Sequence, residues 1–204
     1  SKPAPNDQQF DYGPGITNNS SSGLNPATGP AGAWNGGNTV TISGINFGTS
    51  PSVTFNGNPA TVVQPVTDKQ INVIVPPRTG TMSGNQTVPV VVTTAGGQSD
   101  GGPAYTYPAP PAPTVSSVTP NTGPVTGTVT PPVTISGSNF FTAPGTQVTV
   151  SFGGRAATNV TVVSATTITC SVPQGAMPGR VEVQVIVFGA QSAANANDGY
   201  TYTP

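Results

Sequence analysis

Apolar residues recur at every second position over several short stretches of this chain, and none of these stretches carries a helical period. Val181, Val183, Val185 and Val187 alternate with Glu182, Gln184 and Ile186, and Val88, Val90 and Val92 show the same spacing earlier. Ile168, Cys170 and Val172 share a face opposite Thr167, Thr169 and Ser171, and Ile71, Val73 and Val75 form the corresponding set nearer the N-terminus. Side chains of a strand point alternately to its two faces, so each stretch predicts a strand with one face buried. Glycine and proline (26 and 24 residues) fall between these runs. Short strands with turn signals about every 8–12 residues predict an all-β sandwich.

The pattern occurs twice. Tyr105-Thr106-Tyr107 returns as Tyr200-Thr201-Tyr202, an offset of 95. Val40-Thr41-Ile42-Ser43-Gly44-Ile45-Asn46-Phe47 returns as Val133-Thr134-Ile135-Ser136-Gly137-Ser138-Asn139-Phe140 at an offset of 93. Val53-Thr54-Phe55-Asn56-Gly57 pairs with Val150-Ser151-Phe152-Gly153-Gly154, and Pro26-Ala27-Thr28-Gly29-Pro30 with Pro120-Asn121-Thr122-Gly123-Pro124. The small changes of offset fall in loops, where insertions are tolerated. Two copies of one domain follow. The antibody Cys…Trp…Cys signature is absent, so the expected domain is a different branch of the immunoglobulin-like architecture.

Charge changes the picture by what it excludes. Charged residues make up 5% of the chain, with a formal net charge of −1. Lys2, Lys69, Arg78, Arg155 and Arg180 form no stripe that could neutralise phosphates, so no nucleic-acid partner is expected. The acids, Asp7, Asp11, Asp68, Asp100, Glu182 and Asp198, are equally scattered, in terminal, loop or strand-exterior positions. Thr, Ser, Asn and Gln must therefore solubilise the surface. Disorder is not expected, because the net charge is low and β-branched residues are plentiful. No run approaches the ~18 apolar residues of a membrane span, no signal peptide is visible, and no membrane insertion is expected. A first residue of Ser rather than Met is expected of a chain processed or cut from something longer.

The repeated blocks resemble the IPT/TIG family (immunoglobulin-like, plexin, transcription-factor domains) in its bacterial tandem form. The resemblance rests on Pro26 with Gly29-Pro30 and Pro120 with Gly123-Pro124, the Val-Thr-Ile-Ser-Gly-x-Asn-Phe strand and the Val-x-Phe-x-Gly strand. It extends to the strands ending at Pro76 and Pro173, the valine strand and the closing Tyr-x-Tyr, in one order, twice. It implies two tandem immunoglobulin-like β-sandwiches of E-set type and a building-block role more than a chemistry. Similar modules occur in bacterial surface and secreted proteins, as spacers in starch-acting enzymes, in virion proteins and in animal receptors. The related domain of rel-type transcription factors contacts DNA through basic loops, which this sequence lacks.

The expected organisation is an N-terminal extension over 1–15, a first domain over 16–107, a Pro-rich linker over 108–113 and a second domain over 114–204. Phe10-Asp11-Tyr12 has the form of the closing strand of a preceding repeat, which suggests a slice of a longer array. The same residues could be a plain linker or could add a strand to a neighbouring molecule. The linker carries four prolines and favours an extended, semi-rigid spacer.

Candidate chemistry is sparse. The chain has no histidine, which removes Ser-His-Asp and Cys-His arrangements and His-ligated metal sites. Glu182 is expected on the solvated face of its strand. No cofactor, metal site or catalytic residue is expected. Cys170, aligned with Val73 on the buried face, is expected to be a small core residue, and a lone cysteine forms no intrachain disulfide. Trp34, in the loop over 31–38, and Phe141, where the first copy has Gly48, could stack on a sugar or partner or could pack on the sandwich end. Asn195, Asn197 and Asp198 read as a turn, with too few carboxylates for strong calcium binding. Asn18, Asn19, Asn85 and Asn159 begin Asn-x-Ser/Thr triplets of the kind chance produces in a Thr-rich chain.

These readings converge on a non-enzymatic structural or adhesive module of an extracellular, filament or particle-surface protein, a stiff spacer or protein-interaction unit. Protein partners or self-association are expected. The alternative is a carbohydrate-binding or spacer module of a secreted polysaccharide-degrading enzyme, with a glycan as partner.

Overall fold

The computed structural model describes residues 13–17, 23–80, 83–100, 102–127, 132–141 and 148–204. Phe10, Asp11, Tyr12, Asn18 and Asn19 lie outside the described residues. The chain divides into two compact units, Ser1–Pro110 and Pro111–Pro204.

In the first unit the strands are β1 (Gly15–Ile16), β2 (Leu24–Asn25), β3 (Thr39–Ile45), β4 (Ser52–Phe55) and β5 (Asn58–Pro59). They continue as β6 (Thr61–Thr67), β7 (Gln70–Ile74), β8 (Gln86–Thr94), β9 (Gly97–Gln98) and β10 (Ala104–Tyr107). One sheet runs β1-β3-β7-β6 with β2 also on β3, and the other runs β10-β8-β4-β5 with β9 also on β8.

The second unit repeats this plan with β11 (Thr114–Thr119), β12 (Thr122–Pro124), β13 (Val133–Ser138), β14 (Val148–Phe152) and β15 (Arg155–Ala156). It ends with β16 (Thr158–Ser164), β17 (Thr167–Ser171), β18 (Gly179–Val187), β19 (Ala190–Gln191) and β20 (Gly199–Thr203). Its sheets run β11-β13-β17-β16 and β12-β20-β18-β14-β15, with β19 on β18. Two tandem all-β, immunoglobulin-like sandwiches are thus the observed fold, and the described residues contain no helix.

The alternating positions fill the two cores. Val40, Ile42, Ile71, Val73, Val75, Val88, Val90 and Val92 are buried in the first unit, and Val133, Ile135, Ile168, Cys170, Val172, Val183, Val185 and Val187 in the second. Outward positions pair hydroxyl against hydroxyl across the second unit: Thr119 faces Thr134, Ser117 faces Ser136, and Thr134 and Ser136 face Thr169 and Thr167. In the first unit the Thr41 hydroxyl donates to Asn72 Oδ1 at 2.7 Å on the corresponding face. Neutral groups that bond to one another and to water keep these faces wet without charge.

The Ser-Gly-x-Asn-Phe block has a steric reason. A Cβ on Gly44 would strike the Gly15 carbonyl and come 2.5 Å from Phe47 Cζ, and one on Gly137 would strike the Thr114 carbonyl and come 2.5 Å from Phe140 Cζ. The following Asn46 and Asn139 have φ of 59° and 61°, a left-handed conformation that asparagine tolerates. The chain thereby turns the corner that drops Phe47 and Phe140 into their cores, at 0% and 1% exposure.

Candidate functional site

Each closing strand carries a tyrosine pair that ties its sandwich shut. Tyr105 packs edge-on between Phe55 and Tyr107, with ring centroids 5.3 and 5.1 Å away. Tyr200 sits likewise between Phe152 and Tyr202, at 5.2 and 5.1 Å. The Tyr107 hydroxyl donates to the Pro76 carbonyl at 2.9 Å, and Tyr202 to Pro173 at 2.8 Å. Tyr105 donates to Asn38 Oδ1 at 2.9 Å, whereas the buried Tyr200 hydroxyl has no partner among the described residues. Position 38 corresponds to Pro131 in the second copy, which offers no side-chain acceptor. Burial pushes all four hydroxyls above their ordinary range, Tyr107 furthest, where Tyr105 adds to the rise and Arg78 opposes it.

Beside this corner lies a feature that sequence reasoning missed. Arg78 is 3% exposed. Its Nε donates to Gln86 Oε1 at 3.1 Å, and its Nη1 to the carbonyls of Gly84 and Pro108 at 3.2 and 3.3 Å. Burial pulls the guanidinium below its ordinary range, an effect that Tyr107 partly opposes. The Ala109 amide donates to Asn85 Oδ1 at 2.7 Å. Pro108 and Ala109, the start of the Pro-rich segment, are therefore held by the first unit. The Tyr–carbonyl bonds align Pro76 with Pro173, which puts Gly175 at the place of Arg78; a Cβ there would come 2.9 Å from the Tyr202 ring. That mismatch between the copies was the available sequence signal.

The sites proposed from sequence fall in separate places. Trp34 keeps only 8% of its surface exposed, so little of its ring is presented for stacking. Phe141 is half-buried at the end of the second unit. Cys170 is 1% exposed, and burial pushes its thiol up to about 11. Asn159 Nδ2 donates to the Ser171 hydroxyl at 3.2 Å. Glu182 is half-buried and accepts from Gln184 Nε2 at 3.1 Å. Asn195, Asn197 and Asp198 form a hydrogen-bonded turn: Asp198 Oδ2 accepts from the Asn195 amide at 2.7 Å, and Asn195 Oδ1 from the Asn197 amide at 2.8 Å. Asp198 is 2% exposed, which corrects the reading of every acid as peripheral. Its Oδ1 lies 3.6 Å from Arg180, whose half-exposed guanidinium offsets part of the cost of burying the carboxylate. No group of three or more His, Cys, Asp and Glu gathers among the described residues.

One concavity stands out at the end of the first unit opposite the tyrosine corner. It is an open hollow of about 550 Å³, framed by the connection after β3, the β6–β7 turn and the β8–β9 turn, and it includes Asn46, Gly48, Asp68, Thr94, Ala95 and Gly96. Asp68 Oδ1 accepts from the Gly48 amide at 3.2 Å, and the Thr94 hydroxyl accepts from the Gly96 amide at 3.2 Å. Phe47 lies beneath, fully buried. Asp68 is the one carboxylate among the lining residues.

A family model described as IPT/TIG domain matches residues 20–107 and again 113–202. No curated protein matches the chain. Among solved structures, the full extracellular region of plexin A4 is 21% identical over 88% of this chain and 18% of that one, with a TM-score of 0.42. The surface glycan-binding protein PbSGBP-B of Prevotella bryantii is 20% identical over 76% of this chain and 35% of that one, with a TM-score of 0.41. SGBP-B from a complex xyloglucan utilization locus in Bacteroides uniformis is 18% identical over 91% of this chain and 49% of that one, with a TM-score of 0.37. The chain spans less than half the length of each of these solved chains.

Proposed function

The chain belongs to the IPT/TIG domain family as a tandem pair, and on that premise we propose that it is a non-enzymatic structural or adhesive module of an extracellular, filament or particle-surface protein. The observation that carries this reading is the locked exit of the first unit. Arg78, buried and bonded to the Pro108 carbonyl, together with Asn85 on the Ala109 amide, removes freedom from the chain where a flexible tether would leave it loose. The prolines that follow have a fixed φ and continue that stiffness.

Other features support the same reading. The sequence has no histidine and few carboxylates, and the outward sheet positions are mostly neutral hydroxyls and amides. Such a surface suits packing among copies or with other proteins, where charge would have to be desolvated. Phe10-Asp11-Tyr12 repeats the aromatic-x-Tyr form of β10 and β20, the last strands of the two units, and on that sequence likeness it is the segment proposed to add a strand to a neighbouring subunit.

Small-angle scattering of the full chain tests the spacer. The expected result is a narrow distribution of inter-unit distances that broadens in Arg78→Ala. An equally broad distribution in the unsubstituted chain overturns it. Sedimentation velocity with and without residues 1–12 tests the self-association arm, with weaker association expected on deletion.

A further inference from the structure

The geometry points to the hollow of the first unit as a binding site for one sugar ring of a neutral glycan. This goes beyond the spacer reading and does not depend on it.

The second unit serves as an internal control. The Phe47 amide donates to the Asp68 carbonyl at 3.1 Å, and the Phe140 amide to the Ala165 carbonyl at 3.0 Å. The Ser99 amide donates to Val92 and the Ser192 amide to Val185, both at 2.8 Å. These matched bonds place Ala165 where the first unit has Asp68, and Phe188 where it has Ala95. Counting on from Gly44 and Gly137 places Phe141 at the position of Gly48. The flanking strands therefore pair alike with two phenylalanines and an alanine in these positions, while the hairpin turn itself differs, with Phe188 at φ 52° and Ala95 outside the left-handed region. Gly48 has a backbone reason for its identity, since its φ is +62°. The small, exposed Ala95 and the carboxylate of Asp68 are not required by the strand pairing, and together they keep this end of the first unit open and polar.

The ligand class follows from the lining. A volume of about 550 Å³ is in the usual range for small-ligand sites. The hydroxyls of Thr49, Ser50 and Thr94 can donate and accept, and the Asp68 carboxylate has acceptor sites beyond its bond to Gly48. A hydroxyl both donates and accepts, so a polyol satisfies such a mixed set. A cation would use the acceptors alone, an anion would meet Asp68 with no cation among the lining residues, and an apolar ligand would leave the polar groups unpaired. Phe47 is fully buried and presents no stacking face, so hydroxyl configuration is what the site reads. Trp34 is not part of the lining.

The test uses the full chain labelled with ¹⁵N and titrated with cellohexaose, xylohexaose, mannohexaose and maltohexaose. At least one sugar is expected to shift the amides of Gly48, Asp68 and Gly96 in a saturable way with Kd in the millimolar range. Asp68→Ala and Ala95→Phe should each weaken binding about tenfold or more. Asp68→Asn keeps the size and should weaken it less, and Ala165→Asp in the second unit should leave it unchanged. The proposal is overturned if none of the four sugars moves these amides at ~10 mM, if Asp68→Ala binds as well as the unsubstituted chain, or if N-acetyl-lysine amide moves them and the sugars do not. These readouts are local, so they stand or fall separately from the scattering result.

Discussion

Tyr107 reaches across its sandwich to the carbonyl of Pro76, 31 residues earlier in the chain, and its hydroxyl donates there at 2.9 Å. The bond joins the last strand of the first unit to the end of β7 and so holds the two sheets together where the chain leaves. Tyr202 and Pro173 repeat it in the second unit. The pair explains why a Tyr-x-Tyr closes each copy: one ring fills the core and the next carries a hydroxyl to the facing strand.

The first prediction separates these hydroxyls. Tyr107→Phe leaves the buried Pro76 carbonyl without its donor and should cost about 1–3 kcal/mol. Tyr202→Phe should cost less, because Pro173 is only half-buried. Tyr200→Phe removes a buried hydroxyl that has no partner among the described residues, and should be neutral or stabilising. Urea unfolding of the three variants, compared by midpoint at constant slope, checks the order.

Alkaline pH should weaken the fold. Burial raises the folded-state values of Tyr105, Tyr107, Tyr200 and Tyr202 above the ordinary 10.0, and Cys170 from 9.0 to about 11. The unfolded chain releases these protons first as pH rises, so it binds fewer protons than the folded chain and the slope of stability against pH is negative there. The contribution is complete below about pH 9 and is lost progressively as pH climbs through the folded-state values. Urea midpoints at pH 7, 9 and 11 should show little change over the first interval and a drop over the second.

Cys170 should resist alkylation. A thiol 1% exposed and shifted to about 11 has little thiolate at neutral pH and little access. Iodoacetamide at pH 7.5 should label the native chain far more slowly than the chain in denaturing urea, as followed by intact mass. Comparable rates would place the thiol outside the core.

Trp34 should report the first unit. At 8% exposure its emission should be blue-shifted and poorly quenched by acrylamide, moving to the red as the first unit unfolds. Because it lies outside the hollow, saturating sugar should leave its emission maximum in place while the amides of the hollow move.

Removing the Arg78 side chain should loosen the exit. Arg78→Ala breaks the bonds to Gln86, Gly84 and Pro108. The Ala109 amide, bonded to Asn85 next to that site, should exchange with deuterium about tenfold faster or more, since its protection requires the segment to stay seated. Unchanged exchange would show that Asn85 holds the segment alone.

The alternation of valine and isoleucine with threonine and serine determined the strands, their inward faces and the doubling of the domain, because period-two burial is a local property of an extended chain. It also placed Cys170 in the core and Gly44 and Gly137 in a recurring block. The close approach that demands those glycines became visible only with Phe47 and Phe140 in place. Which polar residues are buried was decided by tertiary structure alone. Arg78 and Asp198 look like surface charges in the sequence, and they are buried because partners from other segments, Pro108 for one and Arg180 for the other, meet them there. Trp34 and the hollow around Asp68 follow the same rule. A loop's exposure is set by what packs against it from distant parts of the chain, and that information is not local.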